Sequence, residues 1–484
     1  LINTKIKNNL MKQNLLIIVV DSLRYDKCIG DKKLSAIPNL EKLINDGIFF
    51  SQAISTASKT VPSLSSIFTG TYPFESTIVE QDFFKLNPNL PTFCDDLKNN
   101  SYDCHSILPE ILKETNIPKL FSDTNFFNSF STLYDQGLGE KILKKLDDSM
   151  NSPWFLYIHL VDLHGNALFN LDSNDETKIQ NFEGKNQYEK MLSAMDVWFG
   201  KIFKKINSEE TLTIVAADHG SSSADFTNEM LDFSLETDSI KKSNRPNSNI
   251  AKIISKKLPK KLQPLKKELG KIRTERSDKI TEKKLKPRIM EIDKMDITDY
   301  QKRILKKATL YPTDCFDENF RPALVISGNI VPSNKIVTNQ ISLIDIFPTI
   351  FEILDIKTNV KHRGKSLVSY FSKPNIENDT YVMIDGVSSK IQKDYSDSIG
   401  IRTENYKYFR DRIDKTKNIH LYDLKKDPLE LKNISNNFPE IVLKMENHLK
   451  SINDKKDFIF KNLQDSKNDE TDNAKELLKE LGYI

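Results

Sequence analysis

Residues 14–26 of the chain read Asn14-Leu-Leu-Ile-Ile-Val-Val-Asp21-Ser-Leu-Arg-Tyr-Asp26. The apolar run of this stretch is short, unbroken and rich in Val and Ile, which is typical of a strand buried on both faces of a parallel sheet. Asp21 then lies at the carboxyl end of that strand. In open α/β sheets, ligands bind in the crevice beyond these strand ends. The stretch therefore predicts a parallel sheet with a functional carboxylate at its carboxyl edge.

Two later segments repeat this arrangement. Residues 153–160 (PWFLYIHL) form a second buried run, followed by His164, and residues 211–217 (TLTIVAA) form a third, followed by Asp218 and His219. Because the carboxyl ends of parallel strands meet at one edge of a sheet, we expect these polar residues to lie together.

Residues 62–70 (PSLSSIFTG) are typical of a short helix, since proline is favoured in a first helical turn and glycine just past a helix end. Thr60 is then expected just before the amino terminus of this helix.

At 484 residues the chain is long enough for a large domain and a smaller second one. Its buried runs alternate with helical patterns, and its last hundred residues alternate strand-like pieces with a final amphipathic helix. The sequence predicts an α/β fold: a mixed, largely parallel sheet flanked by helices, with a smaller carboxyl-terminal α+β domain. We expect the main domain to comprise 11–220 and 307–375, and the smaller one 376–484.

Residues 221–306 are predicted to be a basic insertion of short helices and linkers. Between positions 241 and 307 the chain has 23 Lys and Arg against 8 Asp and Glu, an excess of 15 positive charges. Such a segment is usually a solvated face, but it also suggests a polyanionic substrate or an anionic surface as partner. No zinc, RNP or aromatic-interleaved pattern is present, so we expect no nucleic acid partner.

The cysteines and the amino-terminal region indicate the cellular setting. The cysteines have no zinc-like spacing and are predicted to be reduced, buried thiols: Cys28, Cys94, Cys104 and Cys315. The apolar run 15–20 is about a third as long as a transmembrane span. We recognise no targeting signal, so the default expectation is a cytoplasmic protein, and Met11 is a plausible start.

In chain order, eight segments resemble motifs of the sulfatase family, within the alkaline-phosphatase superfamily. They are 14–26, 60–73 (TVPSLSSIFTGTYP), Asp162-Leu-His164, Asp218-His219-Gly220, 342–349 (SLIDIFPT), 362–367 (HRGKSL), 401–408 (IRTENYKY) and 421–428 (LYDLKKDP). The resemblance spans nearly the whole chain. It implies an alkaline-phosphatase-like fold and a metal-dependent hydrolase of sulfuric or phosphoric esters.

The resemblance implies that the catalytic residue stands two positions before Pro62, which is Thr60. Sulfatases of the usual type have Cys or Ser there, followed by x-Pro-x-Arg, and convert it to formylglycine. Here the residue is Thr, and Leu64 takes the place of the Arg, which argues against formylglycine. A threonine hydroxyl can attack phosphorus or sulfur if a metal lowers its pKa, and similar threonines serve phosphotransferase branches of the superfamily.

A divalent cation is predicted beside Thr60. Attack on an anionic ester requires positive charge on its oxygens, and two carboxylates with an imidazole can hold such an ion. We expect Asp21, Asp218 and His219 as ligands, with the Thr60 oxygen. Ser22 stands where many sulfatases have a further ligand, which argues against their usual calcium set and leaves Ca²⁺, Mn²⁺ and Zn²⁺ open.

Two further residues are assigned roles by the resemblance. His164 is placed to contact the transferred group or to protonate the leaving oxygen. Lys307 resembles the family's lysine segment and would neutralise a substrate oxygen, with Lys306 an equal alternative by position. His159, inside its strand, is interpreted as a buried histidine satisfied by hydrogen bonds. His105 is given no role.

The sequence leaves three functions open. The first is a sulfatase-like hydrolase of an anionic ester, with a polyanionic glycan or a lipid head group as the substrate class. The second is a phosphotransferase that moves a phospho-head group onto a glycan or lipid. The third is a non-catalytic binding homologue.

Overall fold

The computed structural model describes residues 12–80, 83–129, 131–134, 137–148, 150–165, 168, 179–243, 283–310, 315–373, 380–386 and 398–454. The strands are β1 (Asn14–Val20), β2 (Gly47–Ile54), β3 (Thr77–Glu80), β4 (Phe83–Leu86), β5 (Asp103–Pro109), β6 (Asp123–Phe127), β7 (Trp154–Leu160), β8 (Thr211–Ala216), β9 (Leu324–Ser327), β10 (Lys335–Ser342), β11 (Val382–Gly386), β12 (Ser398–Arg402), β13 (Tyr406–Asp411) and β14 (His420–Asp423).

The helices flank these strands in the order of the chain. They are α1 (Pro38–Asn45), α2 (Thr60–Thr69), α3 (Pro73–Ser76), α4 (Phe93–Asn99), α5 (Leu138–Asp147), α6 (Gln187–Lys204), α7 (Asn228–Ser243), α8 (283–294), α9 (Asp299–Leu310), α10 (Asp317–Phe320), α11 (Ile346–Ile353), α12 (Ser369–Ser372) and α13 (Pro439–Asp454). No described helix is long and apolar enough to cross a membrane.

The central sheet has the strand order β10-β2-β9-β8-β1-β7-β5-β6. Strand β9 is antiparallel to β2 and β8, and the other neighbouring pairs are parallel. The predicted mixed, largely parallel sheet is confirmed. In register, Val20 faces Leu160 of β7 and Val19 faces Ala216 of β8, so these three strands end at nearly the same level.

The two faces of β1 are both buried, which explains its unbroken apolar sequence. Leu15, Ile17 and Val19 pack in a core with α2, α4 and α11. The alternate side chains, from Leu16 to Val20, pack in a second core with α1 and α6. Because successive side chains of a strand point to opposite faces, a strand between two helical layers needs apolar residues at every position.

The smaller carboxyl-terminal domain is an antiparallel sheet in the order β11-β12-β13-β14, with α13 packed on it through Met445 and Leu449. It meets the main domain at the segment before Thr60. A parallel bridge joins Ala57 to Asp385 of β11, and the Asp385 amide donates to the Thr56 carbonyl at 3.0 Å. The small domain therefore supports the loop that leads into α2.

The described part of the predicted basic insertion is a packed helical unit. Residues of α7, α8 and α9 share a core: Met230, Phe233, Ile292, Ile304 and Leu305. Asp225 anchors the unit to the loop after β1, because its carboxylate pairs with Arg24 at 2.5 Å and Lys27 at 3.1 Å and accepts from Tyr300 at 2.9 Å. Positions 244–282 lie outside the described residues. The sequence predicted short helices and linkers for this insertion but did not predict that α7, α8 and α9 share a hydrophobic core.

The cysteines are free and buried, as predicted.

The carboxyl group of Asp162 makes the stability of the protein depend on pH. Asp162 is fully buried, its Oδ1 accepts from the Leu133 amide at 2.7 Å, and its Oδ2 has no hydrogen-bond partner among the described residues. Burial raises the pKa of Asp162 to about 7, so the folded protein retains its proton where an unfolded chain has lost it.

We predict that Asp162 makes stability fall with rising pH. Because its folded pKa is raised, its favourable contribution is complete below about pH 4 and is lost by about pH 7, at about 1.4 kcal/mol per pH unit. Asp162→Asn keeps an acceptor oxygen and cannot ionise. Urea unfolding at pH 5 and pH 8 should show that this variant is stabilised more at pH 8. The exposed Asp355→Asn serves as control; equal effects of the two variants at both pH values would contradict the prediction.

Candidate functional site

Asp21, Thr60, Asp218 and His219 come together at the carboxyl edge of the central sheet. The Thr60 hydroxyl lies 3.1 Å from Asp21 Oδ2 and 3.4 Å from His219 Nε2. His219 Nε2 is 3.7 Å from Asp21 Oδ1 and 3.5 Å from Asp218 Oδ2. The structure thus gathers residues that are up to 198 positions apart in the chain, as the strand-end pattern predicts.

The end of β1 places Asp21 and Ser22 next to Asp218 and His219. The Asp21 amide donates to the Leu160 carbonyl of β7 at 2.8 Å, so the carboxylate leaves the sheet at a fixed point. Ser22 then has φ 70°, an uncommon value for a residue with a side chain. This turn brings its amide within 3.4 Å of Asp218 Oδ1, while its hydroxyl donates to Asp21 Oδ1 at 2.8 Å. Local backbone strain of this kind is common at functional sites.

Thr60 is the first residue of α2, and Lys59 precedes it in extended conformation. The helix is tied to the loop that follows β8 by Ser63, whose buried hydroxyl donates to the Asp218 carbonyl at 2.6 Å. Gly70 ends the helix with φ 64°, a left-handed conformation that favours glycine. The predicted helix is confirmed, and it starts at Thr60 rather than after it.

The Asp218-His219-Gly220 turn orients the imidazole. His219 Nδ1 lies 2.8 Å from the Gly220 carbonyl, which can only accept, so Nδ1 donates and Nε2 faces Asp21 and Thr60. A side chain at Gly220 would place its Cβ 2.3 Å from the Glu318 carbonyl oxygen. Only glycine therefore permits this close approach of the turn to α10.

His159 belongs to the same group, which the sequence interpretation did not anticipate. It is fully buried on β7, and its Nδ1 lies 3.2 Å from the Tyr157 hydroxyl. Its Nε2 has no hydrogen-bond partner among the described residues and is 3.7 Å from Asp21 Oδ2. The expectation of a fully satisfied histidine is therefore wrong for one of the two ring nitrogens. The available signal was a single polar residue near the end of an apolar strand.

The pKa values of the site residues reflect two carboxylates that are buried away from solvent. Burial opposes ionisation of Asp21, but His164, His159 and His219 hold the pKa of Asp21 well below its usual value. Burial, and next the charge of Asp21, raise the pKa of Asp218. Burial lowers the pKa of His219, but Asp218 and Asp21 outweigh it and raise that pKa. The arrangement favours a positive charge between the two carboxylates.

The donor atoms fit a metal ion. Asp21, His159 and Asp218 each offer one ligand atom, and these atoms lie within 4.8 Å of one another. Asp218 Oδ2 is buried and lacks a hydrogen-bond partner among the described residues, as does His159 Nε2. Buried polar atoms are normally satisfied, so two unsatisfied ligand atoms in one cluster fit a group of residues that could hold a cation. Ligand bonds of roughly 2.0 to 2.6 Å would span these separations.

The other residues to which the resemblance assigns a role are His164 and Lys307, with Lys306 as the alternative to Lys307. His164 follows β7 and acts electrostatically on Asp21. The Lys307 ammonium lies 5.1 Å from the ring centroid of Phe316. Burial, and next the charge of Lys307, lower the pKa of His420 to about 4. Lys306 pairs with Asp293 on the surface.

His105, which was given no role, lies 2.8 Å from Asp103 at the amino end of β5. That is the edge of the sheet opposite the site, because β5 is parallel to β7.

Comparison with protein families gives two matches. The family model described as Sulfatase matches residues 13–356, and the one described as N-sulphoglucosamine sulphohydrolase, C-terminal, matches residues 313–455. Together they span both sheets. The segment containing Asp21, Thr60, His159, Asp218 and His219 lies within the first match.

Among known proteins, mouse arylsulfatase K (Mus musculus) is 24% identical over 164 residues, which are 32% of this chain and 29% of that protein. The chain therefore aligns with less than a third of this relative's length. Two solved structures share the fold over most of both chains. The phosphonate monoester hydrolase of Agrobacterium radiobacter has a TM-score of 0.59 at 14% identity, covering 92% of this chain and 96% of that one. A protein in complex with its substrate D-glucosamine-2-N,6-O-disulfate has a TM-score of 0.60 at 12% identity, covering 92% and 98%.

Proposed function

Because the chain belongs to the sulfatase family, we propose that it is a metal-dependent hydrolase of sulfuric or phosphoric esters in which Thr60 is the nucleophile. The observation that carries the proposal is the position of the Thr60 hydroxyl, at the start of α2 and 3.1 Å from Asp21. A nucleophile must lie at the edge of the metal site so that one cation can act on both it and the ester.

We assign Asp21, Asp218, His219 and the Thr60 oxygen to the metal, and add His159 as a further ligand. A bound divalent cation would polarise the ester and lower the pKa of the Thr60 hydroxyl. Two imidazoles beside two carboxylates favour Mn²⁺ or Zn²⁺, because Ca²⁺ takes mainly oxygen ligands. Formylglycine has no place in this scheme, since Thr60 cannot be converted to it by the route open to Cys or Ser.

The protein residues divide the chemistry among them. The Thr60 hydroxyl donates to Asp21 Oδ2, and its proton would pass to solvent when a bound metal lowers its pKa. The Thr60 oxygen then attacks sulfur or phosphorus in line with the leaving oxygen, the bond to that oxygen breaks, and His164 donates the proton that the departing alcohol needs. Lys307 neutralises an oxygen of the substrate, as its place in the family's lysine segment implies. Water then attacks the sulfur or phosphorus of the Thr60 ester, which releases inorganic sulfate or phosphate and returns a proton to the Thr60 oxygen.

A second candidate function is phosphotransfer to a glycan or lipid alcohol. Threonine in place of Cys or Ser favours it, and so does Leu64, which is fully buried where the family's arginine would stand. In that case an acceptor alcohol rather than water resolves the threonine ester. Product analysis in the presence of added glycerol separates the two, because only transfer yields a glycerol ester.

We predict that Thr60→Val, which keeps the shape but lacks the hydroxyl, lowers kcat/KM on aryl sulfate or aryl phosphate by at least about 1,000-fold. Thr60→Ser should retain activity within about tenfold of wild type, because the oxygen is kept and only the stiffness at Cβ is lost. The measurement is release of 4-nitrophenol from the two esters by metal-loaded protein.

Full activity of Thr60→Val would exclude Thr60 as nucleophile. If wild type and Thr60→Val both hydrolyse neither ester but bind metal equally, the non-catalytic binding homologue is favoured instead.

Metal binding gives a prediction that does not depend on activity. After chelation, the protein should take up one Mn²⁺ or Zn²⁺ and become more stable, by about 2.7 kcal/mol at a metal concentration 100 times Kd. His159→Ala should weaken this affinity by more than tenfold. His105→Ala, another buried histidine at the opposite sheet edge, is the matched control. Equal metal affinities of both variants and wild type, measured by calorimetry, would remove His159 from the ligand set.

The substrate class follows from charge. The described part of the insertion exposes Lys283, Lys284 and Lys286 on α8, and Asp225 links this unit to the loop after Asp21. We propose that the substrate is a polyanion, such as a sulfated glycan, or an anionic head group on a surface. Exposed lysines gather such partners through long-range attraction that salt screens.

We predict that replacing these three lysines by Gln lowers kcat/KM on a sulfated polysaccharide by roughly 3- to 10-fold at low salt, since each removes roughly 0.2 to 0.5 kcal/mol of attraction. The effect should vanish at high salt, and a small aryl ester should be unaffected. The control replaces Lys425, Lys426 and Lys432 of the smaller domain, which are also exposed. Equal losses of kcat/KM from both triple variants, or on both substrates, would contradict this prediction.

A further inference from the structure

The turn that follows β1 contacts both carboxylates of the proposed metal site. At Ser22 the backbone has φ 70°, a left-handed conformation that is unfavourable for a residue with a side chain. In this conformation the Ser22 amide is 3.4 Å from Asp218 Oδ1, and its hydroxyl donates to Asp21 Oδ1 at 2.8 Å. The turn thus joins the two carboxylates, and such a conformation persists only where neighbouring groups hold it.

The hydroxyl of Tyr188 contacts this turn at two points. Tyr188 lies near the start of α6 and is 2% exposed. Its hydroxyl donates to the Ser22 carbonyl at 2.8 Å and accepts from the Arg24 amide at 3.2 Å. Burial raises the pKa of Tyr188 well above its usual value, so the hydroxyl keeps the proton that it donates.

Two backbone hydrogen bonds of this loop fix Leu23 rather than the carbonyl of Ser22. The Leu23 amide donates to the Val20 carbonyl at 3.1 Å, and the Leu23 carbonyl accepts from the Ala323 amide at 2.9 Å. The Ser22 carbonyl takes its hydrogen bond from the Tyr188 side chain. A change of the Ser22 backbone to a more common conformation would break that bond, and a buried carbonyl without a donor is unfavourable.

Helix α6 gives the Tyr188 hydroxyl a rigid support. Asn186 caps the helix by accepting from the Glu189 amide at 2.9 Å, and its side-chain amide donates to the Ala224 carbonyl at 3.1 Å. The apolar residues of α6 pack in the same core as one face of β1. Because a packed helix positions a side chain more precisely than a loop does, Tyr188 is suited to fix the turn beside it.

From these contacts we propose that Tyr188 is a positioning residue of the metal site. Its hydroxyl holds the left-handed turn at Ser22, and that turn fixes the carboxylates of Asp21 and Asp218 at the spacing that one divalent cation requires. The inference rests on the metal ligands assigned under the proposed function. Tyr188 acts through Ser22 and not by contact with the ester, so its loss changes the affinity for metal.

The test measures the binding of Mn²⁺ and Zn²⁺ to the chelator-treated full chain by calorimetry. Tyr188→Phe removes only the hydroxyl. Tyr102→Phe is the matched control, since Tyr102 is also buried and its hydroxyl donates to the Gln13 carbonyl at 2.8 Å, at the amino edge of the sheet. We expect Tyr188→Phe to raise the Kd of metal roughly 10- to 100-fold, as loss of a hydrogen bond that orients a metal ligand typically does. Tyr102→Phe should leave this Kd unchanged.

A double-mutant cycle with Ser22→Gly separates support of the turn from a general loss of packing. Glycine adopts a left-handed conformation at no steric cost, so the turn should depend less on Tyr188 when residue 22 is glycine. In the Ser22→Gly background we expect Tyr188→Phe to raise the Kd of metal by less than about threefold. An equal effect of Tyr188→Phe in both backgrounds would contradict a role through the turn.

The remaining outcomes separate this inference from the proposed function. Metal affinity of Tyr188→Phe equal to that of wild type, or a loss shared by Tyr102→Phe, overturns the inference and leaves the hydrolase function in place. Wild-type protein that takes up no divalent metal overturns both. Metal binding that depends on Tyr188 in a protein that hydrolyses neither aryl ester supports the inference and overturns the hydrolase function.

If Tyr188→Phe does not fold, Ser22→Thr takes its place in the test. This variant keeps the hydroxyl but disfavours the left-handed turn, because a β-branched residue rarely adopts positive φ. We expect it to weaken metal binding at least tenfold, as other losses of ligand orientation do. Wild-type metal affinity in Ser22→Thr would overturn the inference.

Discussion

The close approach of two buried carboxylates is the constraint on which the rest of this structure depends. Asp21 and Asp218 are 3% and 0% exposed, and both contact the same imidazole of His219. Like charges in a low-dielectric interior repel strongly, and histidines offset this only in part. The loops at this edge are therefore arranged around a positive charge, and their stability and their capacity to hold a cation are coupled.

The carboxylates of Asp21 and Asp218 lie close together because of the strand register in the sheet, and not because of the sequence next to either residue. Strands β1, β7 and β8 are adjacent and end at one level, so their last residues share one edge. Thr60 comes from farther away, since β9 lies between β8 and the strand that leads to α2. A Cβ on Gly47 at the start of β2 would lie 2.3 Å from a carbonyl of β9, which shows how closely these strands pass.

The sequence was sufficient for the strands whose two faces are both buried, and for the residues at their ends. It was less informative where long-range contacts decide. Gly47 follows α1, which ends at Asn45, and it permits the close packing of β2 against β9. His159 looked like an ordinary buried histidine, because only the folded sheet brings Asp21 next to its second nitrogen. The core shared by α7, α8 and α9 was equally invisible, since its apolar residues are scattered among charged ones.

The helix that begins at Thr60 has a polar start and an apolar body. Thr60 is β-branched, so its hydroxyl has few rotamers, and contacts with Asp21 and His219 hold that hydroxyl at the sheet edge. One turn further along the helix, Leu64 contributes to apolar packing in the core, where a charged residue would carry a large desolvation cost. An apolar residue at position 64 and a hydroxyl at the helix start are thus consistent with one another. Under the proposed function, the positive charge that an anionic ester needs must then come from outside this helix.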